Sequence, residues 1–422
     1  MFFNLLVFSM GIRGGIRKSF LAMVTPQTIV LHVTSRFLAT GADSLGKLWV
    51  KTVWDLLSDV LSLRQGDLVY FVRYASGDSE SILGTWKVEK LEEFSSTVFF
   101  DPRPWRGSLE NYVFRVKLRE VNMWDDYLPT DYLFSLPQYF GYLWSLGGKK
   151  ALGRGKSLTT LPPGGGKVLE TVYYEFKERA NEEGWKSEPV KLTVDGCSLE
   201  EYSPDSNTYH LDKEWFLELF RREEDESTSP SISTCLGEVD ITSLPVRKGH
   251  LLANEKVLEA WFSMFVDQDE MEEFWKQLEL KKESIVWFSN YLPLTISGKN
   301  VDFVVLLEDK PEKTYSLVVI ELKKDELYGK RGRPLKKLEE AINEVNRYAP
   351  ILRNLFRENL KFLLRRKNND KNEVSLSVKK VVVGAKNPEA EEIVQKLQGD
   401  VHVFTYEIVD DNVPLKIEKV SS

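Results

Sequence analysis

The fold of the C-terminal part of this chain is decided by NVDFVVLLEDKPEKTYSLVVIELKK, residues 300–324. Two apolar runs of strand length flank the polar turn EDKPEKT, and continuous apolar runs are typical of a sheet that is covered on both faces. Because alternate residues of a strand share a face, Glu321 and Lys323 lie on one side of the second strand. Asp302 interrupts the apolar pattern of the first. The stretch therefore predicts two neighbouring strands that each carry one acid.

These two acids indicate a metal site. A carboxylate in an apolar strand is costly unless a partner satisfies its charge. Mg²⁺ prefers oxygen ligands and typically takes one or two carboxylates together with phosphate and water. Lys323 would then stabilise charge on an attacking water or on a scissile phosphate. A D…E-x-K spacing also arises by chance at solvated strand ends, so the surrounding elements have to decide between the two interpretations.

The elements around this stretch follow a definite order. Before it, the patterns predict a helix in LLANEKVLEAWFSMFV (251–266) and a strand in ESIVWFSNYLPLT (283–295). After it, we expect a helix from Leu335 to Ala349 that ends at Pro350, a second helix to about Arg366, and strands over 378–385 and 401–409. The order is helix, strand, acid strand, turn, E-x-K strand, helix, strand.

In this order of elements, residues 250–410 resemble the PD-(D/E)XK nuclease superfamily, which has an αβββαβ core. The resemblance implies a restriction-endonuclease-like fold that hydrolyses phosphodiesters with a divalent metal. It implies that Asp302, Glu321 and Lys323 are catalytic. It further implies that Asp302, Glu321 and the Leu322 carbonyl are metal ligands, with Mg²⁺ as the cofactor and Mn²⁺ able to substitute.

The same resemblance implies an acid in the preceding helix. Glu255 and Glu259 both fit, because residues four apart share a helix face, and we favour Glu255. Two positions depart from the family pattern. Val301 stands where many relatives have proline, and Glu344 stands where many have glutamine, four residues before Tyr348. The second departure puts the accessory role of that position in doubt.

A basic segment follows the E-x-K strand. KKDELYGKRGRPLKK, residues 323–337, holds seven basic residues against two acids. Lys330, Arg331 and Arg333 surround a Gly-Pro break, where a loop could follow a phosphate backbone. The alternative is a solvated charged loop. Beside a nuclease site, we interpret these three residues as contacts to the DNA backbone.

The N-terminal part alternates in the manner of strands, with one helix near Val53–Leu63. The β-rich runs are TIVLHVTS, DLVYFVRY, SILGTWKV, STVFF and NYVFRVKLREV. Turn signals separate them, and the layout predicts a small closed or half-closed β-barrel.

A tryptophan, a short helix, GDLVYF and ILGTWKV follow one another in this part, which therefore resembles the PUA-like group that includes EVE and YTH domains. The resemblance implies an aromatic cage that holds a modified base flipped out of its strand. Trp54 aligns best with the cage tryptophan, and Trp49, Trp86 and Trp105 are further candidates. The alternative for each is the barrel core. Asp67 in the GD turn is expected to order that turn.

Two segments separate these parts. SLGGKKALGRGKSLTTLPPGGGK (145–167) ends a Walker A pattern at Gly155–Ser157, but Lys150 stands where its first glycine belongs, so we reject a P-loop and expect a mobile basic loop. Residues 223–248 have the composition of a linker. We predict an α+β or α/β multidomain chain with five segments: 1–24 an extra N-terminus, 25–125 the reader, 126–222 a connecting region, 223–248 a linker and 249–415 the nuclease domain.

Composition excludes several other classes of protein. The net charge of −7 among 422 residues argues against a generally basic surface, although a local basic patch would suffice for DNA. Cys197 and Cys235 are too few for a disulfide framework, and the four histidines have no zinc spacing. No run is long enough to cross a bilayer. The opening MFFNLLVFSM is a poor signal peptide because its basic residues follow it, and Met23 is an alternative start. We expect a cytoplasmic protein.

These features together predict a Mg²⁺-dependent DNA endonuclease of the modification-dependent restriction type. A homodimer would supply two active sites for two cuts. Three alternatives stay open: a repair nuclease acting on mismatched or branched DNA, a nucleic-acid-binding protein with an inactive nuclease fold, and an RNA-processing enzyme.

Overall fold

A computed structural model describes the following residues of the chain. They are 16, 18–24, 29–31, 36–42, 57–73, 81–88, 98–100, 111–146, 158–180, 182–187, 189, 209–218, 231–234, 237–240, 246–247, 251–252, 254–294, 299–312, 314–365, 374–390, 400–409 and 415–420. Within these ranges the protein is a mixed α and β structure with two large sheets.

Nine strands of the described N-terminal residues form the first sheet. They are β1 (Ser19–Val24), β2 (Ile29–Leu31), β3 (Arg36–Ala42), β4 (Leu68–Arg73), β5 (Ser81–Val88), β6 (Val98–Phe100), β7 (Asn111–Pro129), β8 (Leu158–Thr160) and β9 (Tyr209–His210). The order is β2-β3-β7-β5-β4-β1-β8, and β6 pairs with β7 and β9. β1 runs parallel to β4, and the other pairs are antiparallel.

Strand β1 lies in the segment that the sequence assigns to an extra N-terminus. It sits between β4 and β8, and the side chains of Phe20, Leu21 and Ala22 are at most 3% exposed. These residues are therefore an integral part of the sheet. A chain that started at Met23 would lack them and would lose part of the core of this sheet. The boundary expected at residue 125 likewise falls inside β7.

Five helices belong to this half of the described chain: helical residues 57–61 (α1), α2 (Thr130–Ser135), α3 (Pro137–Phe140), α4 (Gly165–Arg179) and α5 (Lys213–Glu218). Two short ribbons follow, β10 (Ser231–Thr234) with β11 (Gly237–Asp240) and β12 (Val246–Arg247) with β13 (Leu251–Leu252). Most of these ribbon residues lie in the predicted linker.

The prediction of a mobile loop over 145–167 is wrong for residues 158–167. They form β8 and the start of α4, and most are buried. Gly164 has φ +81°, and the side chain of Leu363 lies 2.7 Å from the point where a Cβ would stand. A glycine is required because the loop packs closely against the C-terminal half. Residues 147–157 lie outside the described residues.

The second sheet carries the acid-bearing strands. Its strands are β14 (Ile285–Leu294), β15 (Lys299–Asp309), β16 (Thr314–Glu326), β17 (Leu376–Ala385), β18 (Val401–Ile408) and β19 (Leu415–Lys419). They neighbour one another in chain order, and only the β16–β17 and β17–β18 pairs are parallel among them. Its helices are α6 (Glu255–Phe265), α7 (Glu272–Gln277) and α8 (Lys336–Arg365). The predicted strands occur in the predicted order, with α7 and β19 in addition and with one helix, α8, where two were expected.

Helix α8 differs from the prediction of two helices divided at Pro350. It is one helix of 30 residues with Pro350 inside it. The apolar stripe continues on both sides of the proline, from Leu338 and Val345 to Leu352 and Phe356, all of them buried. Pro350 itself is exposed, so water can bond the carbonyl that lost its partner. Packing of the stripe on the sheet outweighs the local effect of the proline.

The sheet is covered on both faces, as the continuous apolar runs predict. Alternate residues of β15 and β16 belong to two different cores. On the side of α6 the core includes Phe303, Val305, Val318 and Ile320, and on the side of α8 it includes Val304, Leu306, Leu317 and Val319.

The two halves of the chain share a buried boundary, which we call the seam. Apolar residues of α1, among them Leu57 and Leu61, belong to the same core as Trp261 of α6. On the other side, Asn359 of α8 is 1% exposed; its amide donates to the carbonyls of Tyr142 and Pro163, and its Oδ1 accepts from the indole of Trp144. The N-terminal half therefore packs against both helices that flank the second sheet.

Candidate active site

The acids of β15 and β16 lie side by side on the face that α8 covers. Phe303 pairs with Ile320, and this register places Asp302 opposite Glu321. Directly opposed residues of a sheet point to the same face. The backbone N–H of Leu322 donates to Asp302 Oδ2 over 2.8 Å, which fixes one carboxylate oxygen against the neighbouring strand. Strand alternation thus brings together the two acids that the sequence singled out.

Lys323 joins this pair from the same strand. Its Nζ donates to Glu321 Oε1 over 2.5 Å and to Glu344 Oε2 over 3.3 Å. Glu344 comes from α8, in the position that the sequence comparison left in doubt. Its carboxylate accepts from the lysine and so helps to orient it. Tyr348, one helical turn further along α8, is buried beside the same group.

Electrostatics at the site follow from burial. Glu321 is 4% exposed, and burial followed by repulsion from Asp302 raises its pKa. Burial also raises the pKa of Asp302, against the lowering effects of the Leu322 N–H and the Lys323 charge. Burial works against the charge of Lys323, but the neighbouring carboxylates outweigh it and raise the lysine pKa. Burial, then the nearby acids, raises the pKa of Tyr348 to about 12. Lys323 therefore bonds the buried Glu321, whereas the partly exposed Asp302 accepts from the Leu322 N–H.

The geometry separates the two candidates for the helical acid. Glu259 is 3% exposed, and both of its oxygens accept from Lys256 Nζ, over 2.8 and 2.9 Å. Glu255 opens α6 and is only partly buried, and its charge acts on the pKa of Asp302. Glu259 therefore takes part in an ion pair with Lys256, whereas Glu255 is the acid whose charge acts on Asp302.

Sequence reasoning did not find two residues beside Asp302. Lys256 Nζ lies 3.8 Å from the centroid of the Tyr291 ring, and its charge acts on the pKa of Asp302. Tyr291 has φ 45°, a left-handed conformation that is uncommon for a bulky residue. It lies level with Asp302, between the pairs Asn290–Phe303 and Leu292–Val301. No sequence pattern predicts the contact between Lys256 and Tyr291, which lie 35 positions apart in a helix and a strand.

The donor set suits a hard divalent cation. Within the part of the chain that the structure describes, no three or more His, Cys, Asp or Glu side chains are grouped to hold a metal ion. Asp302 and Glu321 are two opposed carboxylates, and Mg²⁺ typically takes one or two together with water and phosphate. Their burial and mutual repulsion are what a cation would relieve.

The basic segment forms a tight turn directly after β16. Tyr328 and Pro334 make an isolated β-bridge, and Gly332 has φ 63°. Lys330, Arg331 and Arg333 are exposed on this turn, and Lys330 pairs with Glu389. The turn therefore presents its cations to solvent next to the strand that carries Glu321 and Lys323.

Of the four predicted base-binding tryptophans, the structure describes only Trp86. Trp49, Trp54 and Trp105 lie outside the described residues. Trp86 lies in β5, paired with Val69 and Glu120, and only its backbone is described. Asp67 does order its turn, because its Oδ2 accepts from the N–H of Arg64 over 2.8 Å.

Comparisons with known proteins identify no family for this chain. No family model and no curated protein matches the chain. Among solved structures, the human THYN1 protein in complex with 5-methylcytosine-containing DNA is 9% identical, covers 37% of this chain and 97% of its own, and has a TM-score of 0.24. A hypothetical protein from Leishmania major is 14% identical over 40% of this chain and 96% of its own, with a TM-score of 0.22.

The DUF55 domain of human thymocyte nuclear protein 1 is 12% identical over 36% of this chain and 98% of its own, with a TM-score of 0.23. TM-scores of this size do not establish a shared fold. Among the described helices, none combines the length and apolar character needed to span a membrane.

Proposed function

We propose that this chain is a metal-dependent nuclease that hydrolyses DNA at Asp302, Glu321 and Lys323. The observation that carries the proposal is that Asp302 and Glu321 lie opposite one another on adjacent strands, with Glu321 buried and linked to Glu344 of α8 through the amine of Lys323. Two neighbouring carboxylates repel one another, and a bound cation would relieve that repulsion. The order of helices and strands around the pair supports the PD-(D/E)XK resemblance.

Each residue has a distinct role in this proposal. Asp302 and Glu321, with the carbonyl of Leu322, would hold Mg²⁺, or Mn²⁺ in its place. The cation supplies Lewis acidity toward the phosphate and a more acidic bound water. Lys323 donates a hydrogen bond to the charge that develops on the phosphate or on the attacking water. Glu344 orients Lys323, and Glu255 contributes a third carboxylate at the edge of the site.

The exposed turn of Lys330, Arg331 and Arg333 supports a nucleic-acid substrate. Cations beside a phosphodiesterase centre would neutralise backbone phosphates and make binding fall with salt. We further propose that the N-terminal part reads a modified base, which makes the chain a modification-dependent endonuclease. This second step rests on the sequence resemblance to PUA-like domains.

Cleavage of plasmid DNA in the presence and absence of Mg²⁺ tests the first step. We expect the wild-type protein to cut only with the metal, and Asp302→Ala and Lys323→Ala to lower the rate by at least about a hundredfold. Lys324→Ala is the matched control, since Lys324 is the next residue of β16 and alternation turns it away from the acids. Either site variant cutting at the wild-type rate would contradict the assignment.

Binding to matched duplexes with and without a modified base tests the second step. Trp54→Ala should weaken binding to the modified duplex between about fivefold and about a hundredfold, the range for loss of one stacked base, and leave plain DNA nearly unaffected. Equal losses on both duplexes would mean that Trp54 is a core residue. Mismatched, forked and RNA substrates in the same assays separate the repair and RNA-processing alternatives.

A further inference from the structure

A buried amide connects the N-terminal half to the strand beside the catalytic acids. Asn290 of β14 is 3% exposed. Its Nδ2 donates to Ser58 Oγ over 2.7 Å and to Asp59 Oδ1 over 2.9 Å, both on α1. The partners are more than 230 residues apart in the chain. Both N–H groups of one side chain are thus committed to α1.

The backbone next to Asn290 adopts an uncommon conformation. Tyr291 has φ 45°, lies level with Asp302 on the neighbouring strand, and has Lys256 Nζ over its ring. Left-handed backbone at a bulky residue persists only when its surroundings hold it there. On one side the Asn290 hydrogen bonds hold the strand, and on the other the Lys256–Glu259 ion pair holds the ring contact.

We propose that Asn290 is a positioning residue for the nuclease site. Through its two hydrogen bonds, α1 fixes the left-handed backbone of β14 at Tyr291, and this conformation places Lys256 and Asp302 relative to one another. The inference rests on the proposed nuclease function. It makes α1, a helix of the candidate reader, a structural component of the active site.

The pair Asn290–Asp59 permits a rescue experiment. Asn290→Asp removes the amide donor and sets a carboxylate against Asp59, which breaks the contact. Adding Asp59→Asn to the same chain restores one donor and one acceptor with the direction of the hydrogen bond reversed. Asn354→Asp is the matched control, because Asn354 is exposed on α8.

Two measurements on the full chain follow these variants. Hydrogen exchange without metal or DNA reports the backbone of residues 288–304 and 255–260. Steady-state cleavage separates kcat from KM. For Asn290→Asp we expect faster exchange in both segments and a kcat lower by between about tenfold and about a hundredfold, with KM within about twofold, as for a misplaced catalytic group. The double variant should recover most of both, and Asn354→Asp should change neither.

The outcomes distinguish this inference from the proposed function. A wild-type protein that cuts no nucleic acid refutes the proposed function, whereas exchange in Asn290→Asp at the wild-type rate over 288–304 overturns the inference without any cleavage assay. Faster exchange with an unchanged kcat, or a loss of kcat that Asp59→Asn does not recover, also overturns it, since Asn290 would then serve stability alone.

Discussion

Arg64 is the side chain whose removal should most directly weaken the seam. Its guanidinium forms a bidentate pair with Asp267, with both N–O distances at 2.8 Å. Its Nη1 donates to the carbonyls of Leu61, the last residue of α1, and Leu63 just after it, and its Nη2 donates to those of Ser263 and Met264 in the last turn of α6. One cation therefore satisfies carbonyls at the C-terminal ends of two helices, where the helix dipole favours positive charge.

The expected loss for Arg64→Ala can be estimated from these contacts. Hydrogen bonds to charged groups contribute about 1.5–3 kcal/mol each, but they do not add, and breaking one partner of a buried pair costs about 3–5 kcal/mol. The Arg64 and Asp267 side chains are 25% and 28% exposed, so water can replace part of what is lost. We therefore expect a decrease of about 3 kcal/mol in the free energy of unfolding. Arg64→Lys should recover less than half, because an ammonium cannot form the fork.

Urea unfolding followed by circular dichroism and tryptophan fluorescence measures this loss. Arg353→Ala, at an exposed position of α8, is the control. Because α1 and α6 belong to one core, both signals should shift together in the Arg64 variant. A loss within about 0.5 kcal/mol, the scale of ordinary surface substitutions, would refute the reasoning. So would a shift confined to one of two separate transitions.

Three further predictions concern the same boundary and its surroundings. Gly164→Ala should lower the free energy of unfolding by about 2 kcal/mol, because the alanine would adopt a left-handed backbone and its Cβ would collide with Leu363. The control Gly184→Ala should lower it by less, because Gly184 has φ +75° but open space around it. Equal melting temperatures of the two variants would contradict this prediction. Asn359→Leu should cost about 2–4 kcal/mol in urea unfolding, because its partners in the N-terminal half stay buried and unsatisfied; a loss near zero would mean that water reaches them. Burial lowers the pKa of Lys18 from 10.5 to about 8, so the unfolded chain binds a proton that the folded chain lacks between these values. Stability should then rise with pH over this window, and Lys18→Met should abolish that part of the rise in urea unfolding measured at several pH values; an unchanged slope would contradict the assignment.

Much of the second sheet could be predicted because apolar periodicity reports faces. The alternation in β15 and β16 placed Asp302, Glu321 and Lys323 correctly on one side, since each apolar neighbour is committed to one of two cores. The division of α8 at Pro350 was wrong because a proline acts locally, whereas the buried stripe extends over the full helix. Tertiary packing of the apolar stripe therefore outweighed the local effect of Pro350.

The remaining features depend on long-range contacts, which produce no periodic pattern in the sequence. Arg64 and Asn290 are polar residues whose partners lie about 200 residues away. The contrast between Glu255 and Glu259 depends on the ion pair of Glu259 with Lys256, which no sequence pattern predicts. The base-binding role of Trp54, Trp49, Trp86 and Trp105 stays a prediction, because it depends on side chains outside the described residues.

The seam limits how the second sheet could be transferred to another protein. A fragment that began near residue 249 would carry Asn359 and the indole of Trp287, which donates to the Leu161 carbonyl, without the groups that satisfy them. Such a fragment would expose apolar surface along α8 and β14 to water, and it would be prone to self-association. A usable graft would have to bring residues 142–163 with it, so the unit of exchange is larger than the acid-bearing sheet.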